Sequence, residues 1–207
     1  MTGQSGSTTA IVDHVESQGD DGGSARPMRA DARRNGERLV TAARAVFAQQ
    51  GGAASMDAIA KEAGVGIGTL YRHFPKRIDV VEAVYREDVD ELVNAAEAFV
   101  ADLGPWPALS AWLEAFVAYA SSKRRFLNEL HEAFEENPQL KVVSRERIEG
   151  ALSIVLGRAQ AAGVVRTDLD APDLMQLLGS MCMSVTLTPE QSARLLVVIE
   201  DGLRPPR

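Results

Sequence analysis

Along most of the chain, apolar residues recur three and four positions apart, the period of helices that bury one face. Leu39, Ala43, Val46 and Phe47 predict a first helix over residues 32–50, ended by Gly51 and Gly52. Val80, Val84, Leu92, Val93 and Phe99 predict a long helix over 76–103. After Gly104, Pro105, Trp106 and Pro107 break the pattern, helices are expected over 108–122, 126–136 and 139–162. Two more begin near Asp170 and at Thr188, where Pro189 and Gln191 complete a capping box. No period-2 strand pattern, internal repeat or heptad array appears. The expected fold class is all-α, with about nine helices. Residues 1–28 are polar and expected to form a disordered tail.

Residues 55–77 carry the most specific pattern. Ser55 is an N-cap residue, Asp57 suits the first turn of a helix, and Gly64 can take the left-handed conformation past its end. Gly66 can cap a second helix, which Pro75 closes at Phe74. At 100° per residue Ile67, Leu70 and Phe74 share one sector, expected to be buried. Gly68, Thr69, Arg72 and His73 lie opposite, with Tyr71 at the boundary. Two helices joined by a glycine-containing turn, the second with an outward polar face, form a helix-turn-helix that reads the major groove.

Charge changes the weight of that pattern. The 207 residues carry a net charge of −7, which by itself disfavours nucleic acid. Residues 26–77, however, hold ten Lys/Arg against four Asp/Glu, a net +6. A basic module beside an acidic body is the asymmetry of a chain with one face turned to a polyanion. Arg33 and Arg34, near the start of the first helix, oppose its dipole, and DNA phosphate would compensate them. The single cysteine, Cys182, excludes an internal disulfide and fits a reducing cytoplasm. Flanked by Met181 and Met183, it reads as a buried thiol. No signal peptide or membrane span is visible. The three histidines are scattered, and no nucleophile elbow, phosphate loop or metal motif occurs, so neither enzyme nor cofactor is expected.

With these residues placed, the chain resembles the TetR family of bacterial transcriptional regulators. The resemblance rests on Phe47 to Gly51, Ser55, the Ile59-Ala60-Lys61-Glu62-Ala63-Gly64-Val65 run, Gly68-Thr69-Leu70-Tyr71-Arg72-His73-Phe74, and Arg77. It spans residues 32–92, with the helix-turn-helix at 55–74. Gly66, where the family often has Ser, and Gly36, which weakens the first helix by about 1 kcal/mol relative to Ala, depart from the pattern. The resemblance implies that Ser55, Tyr71, His73 and Arg77 anchor phosphates, with Lys76 beside them. It places Thr69, Tyr71 and Arg72 nearest the bases, where Gly68 lets the backbone approach. It further implies a ligand-binding and dimerisation domain over residues 93–207. The final helices resemble an actinobacterial-type subgroup in which they pack as a dimer's four-helix bundle.

Leu195 to Ile199 are consecutive and apolar, covering more than one helix face. Leu174, Leu178, Met181, Leu195, Leu196, Val198 and Ile199 are the expected dimer contacts. Trp106, Trp112, Phe116, Tyr119, His131 and Phe134 are the candidate pocket residues, and their low charge suggests a largely apolar ligand. The run Lys123, Arg124, Arg125 reads as a cap on the preceding helix. The functional expectation is a homodimeric repressor on a pseudo-palindromic operator, released by a small molecule. The alternative is a metabolite- or protein-binding scaffold of the same fold without operator binding.

Overall fold

A computed structural model describes residues 25–182 and 187–205, with side chains from residue 34. Expectations for residues 1–24 lie outside the described residues. The described part is all helical: α1 (Ala25–Gln50), α2 (Met56–Glu62), α3 (Ile67–His73), α4 (Arg77–Asp102), α5 (Pro105–Lys123), α6 (Leu127–Glu136), α7 (Pro138–Ala161), α8 (Ala171–Cys182) and α9 (Pro189–Leu203). Single 3-10 turns, Gly51–Ala53 and Arg124–Phe126, precede α2 and α6. The chain divides into residues 1–35, described only as the beginning of α1, and residues 36–207, which hold everything else.

Two boundaries differ from the sequence reading. The tail expected to reach residue 28 is already helical from Ala25. Pro27 sits in that first turn, where an amide hydrogen would have no helical partner anyway. Helix α5 begins at Pro105, with proline in its first turn, so the Pro-Trp-Pro segment opens the helix instead of breaking the chain.

Within residues 36–207, α4 runs through both halves of the protein. Val80, Val81, Val84, Val89, Leu92 and Ala96 are buried along it. One continuous core joins Leu39, Phe47, Ile59 and Leu70 at one end to Leu152, Leu178 and Leu203 at the other. Trp112 is fully buried, and its Nε1 donates 3.1 Å to the Leu92 carbonyl, tying α5 to α4. The opening of α9 follows the sequence closely: Thr188 Oγ1 accepts from Gln191 N at 3.2 Å, and Thr188 N donates to Gln191 Oε1 at 3.0 Å. Its end is held by Arg166, whose backbone N donates 3.0 Å to the Leu203 carbonyl.

The apolar run of α9 splits by direction. Leu196 is buried and Ile199 half-buried, whereas Leu195, Val197 and Val198 are exposed. On α8, Leu174 and Leu178 are buried, Met181 is half-buried and Leu177 is exposed. Three of the expected dimer contacts, Leu174, Leu178 and Leu196, are therefore corrected to core positions of their own chain. Composition shows a helix apolar on two sides; only packing shows which side the core takes.

Candidate nucleic-acid interface and ligand cavity

Helices α2 and α3 are short, and neither would persist alone in water. Local chemistry and a clamp from α1 hold them. Ser55 Oγ accepts from Ala58 N at 3.1 Å, capping α2 as expected. Gly64, at φ +65°, lets the chain turn at the end of α2. Arg38 of α1 donates from Nη2 to the Ala63 carbonyl at 2.6 Å, satisfying a group at that end. From α3 only Leu70 is fully buried. Phe74 is half-buried and Ile67 is 38% exposed, which corrects its expected burial. Ile67 is the first residue of a two-turn helix, beyond the point where Leu70 meets the core.

The remaining surface of α3 is the polar face read from the sequence. Gly68, Tyr71 and Arg72 are exposed; Thr69 and His73 are half-buried. Arg72 donates from Nε to the Gly68 carbonyl at 3.1 Å, a bond that engages Nε alone. A Cβ added at Gly68 would meet nothing within 4 Å, so internal packing does not require glycine there. Arg34 is exposed, and the side chain of Arg33 lies outside the described residues.

Arg77 is not a free phosphate anchor. Its Nη1 donates to the Ala54 carbonyl and its Nη2 to the Gly52 carbonyl at 2.9 Å. Nη2 also lies 3.6 Å from Glu129 Oε1, and the guanidinium sits 5.4 Å from the centroid of the Phe47 ring. Arg77 thus joins the turn before α2 to α6. Arg125 Nη1 donates to the Ala48 carbonyl, and Phe126 stacks on Phe47 with ring centroids 5.2 Å apart. Gly51, at φ +56°, admits this packing, because a Cβ there would lie 2.8 Å from the Arg125 carbonyl oxygen. Lys76 is exposed and its Nζ pairs with Glu136 at 3.2 Å, a pairing of little energy that phosphate could replace.

Beyond α6 lies a cavity of about 740 Å³, partly open to solvent and bounded by α4 to α8. Of the candidate pocket residues, Phe116, Tyr119, His131 and Phe134 line it. Trp112 and Trp106 do not: Trp112 is core, and Trp106 lies under Arg204 with the guanidinium 3.3 Å from the ring centroid. The cavity also carries four cations absent from the sequence expectation: Lys123, Arg124, Lys141 and Arg145. No Asp or Glu is among the described residues that line it. The apolar wall expected for a largely apolar ligand is thus joined by a cluster of positive charge.

The basic run does stand at the end of α5, with Lys123 in its last turn and Arg124 at its C-cap, but the side chains reach beyond the helix end. Lys123 Nζ donates 3.0 Å to Tyr119 Oη and lies 4.8 Å and 4.5 Å from the Tyr85 and Tyr119 ring centroids. Arg124 donates to the Leu187 carbonyl at 3.3 Å and to Ser121 Oγ at 3.1 Å. Nothing local marked these residues, because a basic run at a helix end looks the same whether it caps or lines a cavity.

Burial sets the protonation chemistry of this region. It draws the Lys123 ammonium down to about 8, against the pull of Asp88 and with the repulsion of Lys141. Burial likewise raises the Tyr119 phenol and the Cys182 thiol, and Cys182 is a buried member of the cavity wall. Asp88 is raised to about 6 by burial, although Arg44 Nε lies 2.8 Å from Oδ1 and opposes the shift. Arg44 of α1 also reaches Glu91 at 2.6 Å, so this ion cluster fastens α1 to α4. Among the described residues no group of His, Cys, Asp and Glu could hold a metal ion, and no helix is long and apolar enough to cross a membrane.

Comparison with known proteins gives this geometry a family. Residues 39–84 match the model of bacterial regulatory proteins of the tetR family, and residues 104–205 match the C-terminal domain of SbtR-like transcriptional regulators. The TetR transcriptional regulator SCO0520 from Streptomyces coelicolor has a similar structure, with a TM-score of 0.73 and 36% identity, covering 83% of this chain and 99% of that one. A TetR regulator from Mycobacterium vanbaalenii gives a TM-score of 0.70 and 35% identity, covering 86% of this chain and all of that one. HTH-type transcriptional regulators of Staphylococcus aureus are 44% identical over 68 residues, 32% of this chain and only 37% of their own length. The family consists of transcriptional regulators, not enzymes. With both halves matched and the helix-turn-helix in place, the chain belongs to the TetR family of DNA-binding transcriptional regulators.

Proposed function

We propose that the protein is a homodimeric repressor that binds a pseudo-palindromic operator and leaves it when a small molecule occupies the cavity. The observation that carries the reading is the position of α6. Leu130, His131 and Phe134 on one side line the cavity. Glu129 and Glu136 on the other side hold Arg77 and Lys76 beside the helix-turn-helix. A ligand that displaces α6 moves the contacts that seat the reader. It shifts the population only to the extent that it binds the DNA-incompetent arrangement more tightly.

The exposed polar face of α3 supplies the reading head, with Thr69, Tyr71 and Arg72 toward base edges and Tyr71, His73, Lys76 and Ser55 toward phosphates. Gly68 allows close approach. One seven-residue helix makes too few contacts for a selective site, so a second copy is required. The exposed Leu195 and Val198, with the half-buried Met181 and Ile199, offer a self-complementary apolar surface for it. Two reading helices would then stand about 34–36 Å apart, one turn of DNA.

The test is a gel-shift titration on the DNA flanking the protein's own gene. Specific binding that weakens steeply with salt is expected. Tyr71→Ala should abolish it and leave the dimer intact, because Tyr71 is exposed and outside the core. Salt-insensitive binding, or no enriched site in a selection from random sequences, would refute the repressor reading and favour a scaffold.

A further inference from the structure

The cavity joins two kinds of wall. Phe116, Phe134, Ile148 and Met175 present carbon surface. Lys123, at the end of α5, and Lys141 and Arg145, on α7, present positive charge. Lys141 and Arg145 are four residues apart and so share one side of α7. Neither side chain makes an ion pair or hydrogen bond with the described residues. The carboxylate that acts on Lys123, Asp88, is itself engaged by Arg44 at 2.8 Å. Among the described lining residues no Asp or Glu stands beside these cations. A volume of about 740 Å³ suits a small organic molecule.

We propose that the molecule this cavity accepts is an amphipathic organic acid, its anionic head held by Lys123, Lys141 and Arg145 and its apolar body by Phe116, Phe134 and Ile148. The proposal rests on the reading of the cavity as the effector site and names the chemical class of the effector. A neutral apolar ligand would fill the carbon wall but leave the cations as they are. An organic cation would meet three like charges. An acid satisfies both walls, and charge-assisted bonds to its oxygens are stronger than those a neutral amide would form.

The test compares molecules of one shape and different charge on the full-length, DNA-free protein. Naphthaleneacetate, its neutral amide and the corresponding naphthylethylamine are titrated by calorimetry near neutral pH. The acid is expected to bind at least about tenfold more tightly than the amide, with the amine weakest. In Lys141→Gln/Arg145→Gln the acid should lose most of this advantage while the amide keeps its affinity. Both side chains are exposed, so this variant folds even if Lys123→Met, which should show the same loss, does not. Equal binding of acid and amide, tighter binding of the amine, a preference that survives in the double variant, or no saturable binding at millimolar concentration would each overturn the proposal. A gel shift on the same preparation reports operator binding separately. Failure of the acid therefore remains distinguishable from failure of the repressor reading.

Discussion

Replacing Arg77 by alanine separates a structural clamp from a phosphate anchor. In the folded chain its two Nη atoms serve the Ala54 and Gly52 carbonyls and approach Glu129. Ala54 is buried and the Glu129 side chain is 19% exposed, so water cannot fully replace the missing donors. A hydrogen bond from a charged group contributes about 1.5–3 kcal/mol, and a buried acceptor left unpaired costs about 1–3 kcal/mol. Arg77 is itself 32% exposed and Gly52 is open to solvent, which reduces the sum. The net destabilisation is expected to be about 2–3 kcal/mol, or roughly 5–10 °C in Tm for a chain of this size. Urea and thermal unfolding at several protein concentrations measure it. The salt dependence of operator binding supplies the second readout. Removing one cation from a DNA phosphate lowers the slope of log affinity against log salt by about 0.9, hence by about 1.8 for a dimer in which both copies change. The clamp assignment predicts an unchanged slope with weaker binding at every salt concentration, and Arg77→Lys should not restore stability, because lysine lacks the forked donors. A slope reduced by about two with Tm unchanged would refute it.

Val198→Glu, at an exposed site, should yield monomers in sedimentation velocity while helical content stays constant; sedimentation unchanged over a wide concentration range would remove α9 from the interface. Leu178→Ala, by contrast, should destabilise the fold by about 2–5 kcal/mol in urea titration through a core cavity, and a loss of dimer without loss of fold would return Leu178 to the interface. Asp88 has a folded pKa of about 6, above its ordinary 3.8, so the fold favours the protonated carboxyl. Its contribution to stability is full below its unfolded pKa and is lost as pH rises through about 6. Relative to Asp88→Asn, the wild type should lose up to about 3 kcal/mol between about pH 4 and 7; a gain over that window would contradict the assignment.

The helices and the reading head were legible in the sequence because their signals are local. Ser55 and Thr188 cap their helices wherever they occur, Gly64 takes a left-handed turn that a Cβ disfavours, and the 3.6-residue period of α3 separates Leu70 from Tyr71 and Arg72 whatever packs behind them. The same local information was ambiguous wherever a residue had two possible partners. Arg77 follows the recognition helix in sequence whether it meets phosphate or the Ala54 carbonyl. Leu196 and Val198 are equally apolar, yet one faces the chain's own core and the other solvent. Trp112 and Phe116 share a helix, but only Phe116 reaches the cavity. Lys123 ends α5, whereas Lys141 and Arg145 stand on α7, with all of α6 between them. Their convergence on one cavity, with no Asp or Glu among its described lining residues, exists only once α5 and α7 are packed around α4, because charge clustering depends on distance in space, not distance along the chain.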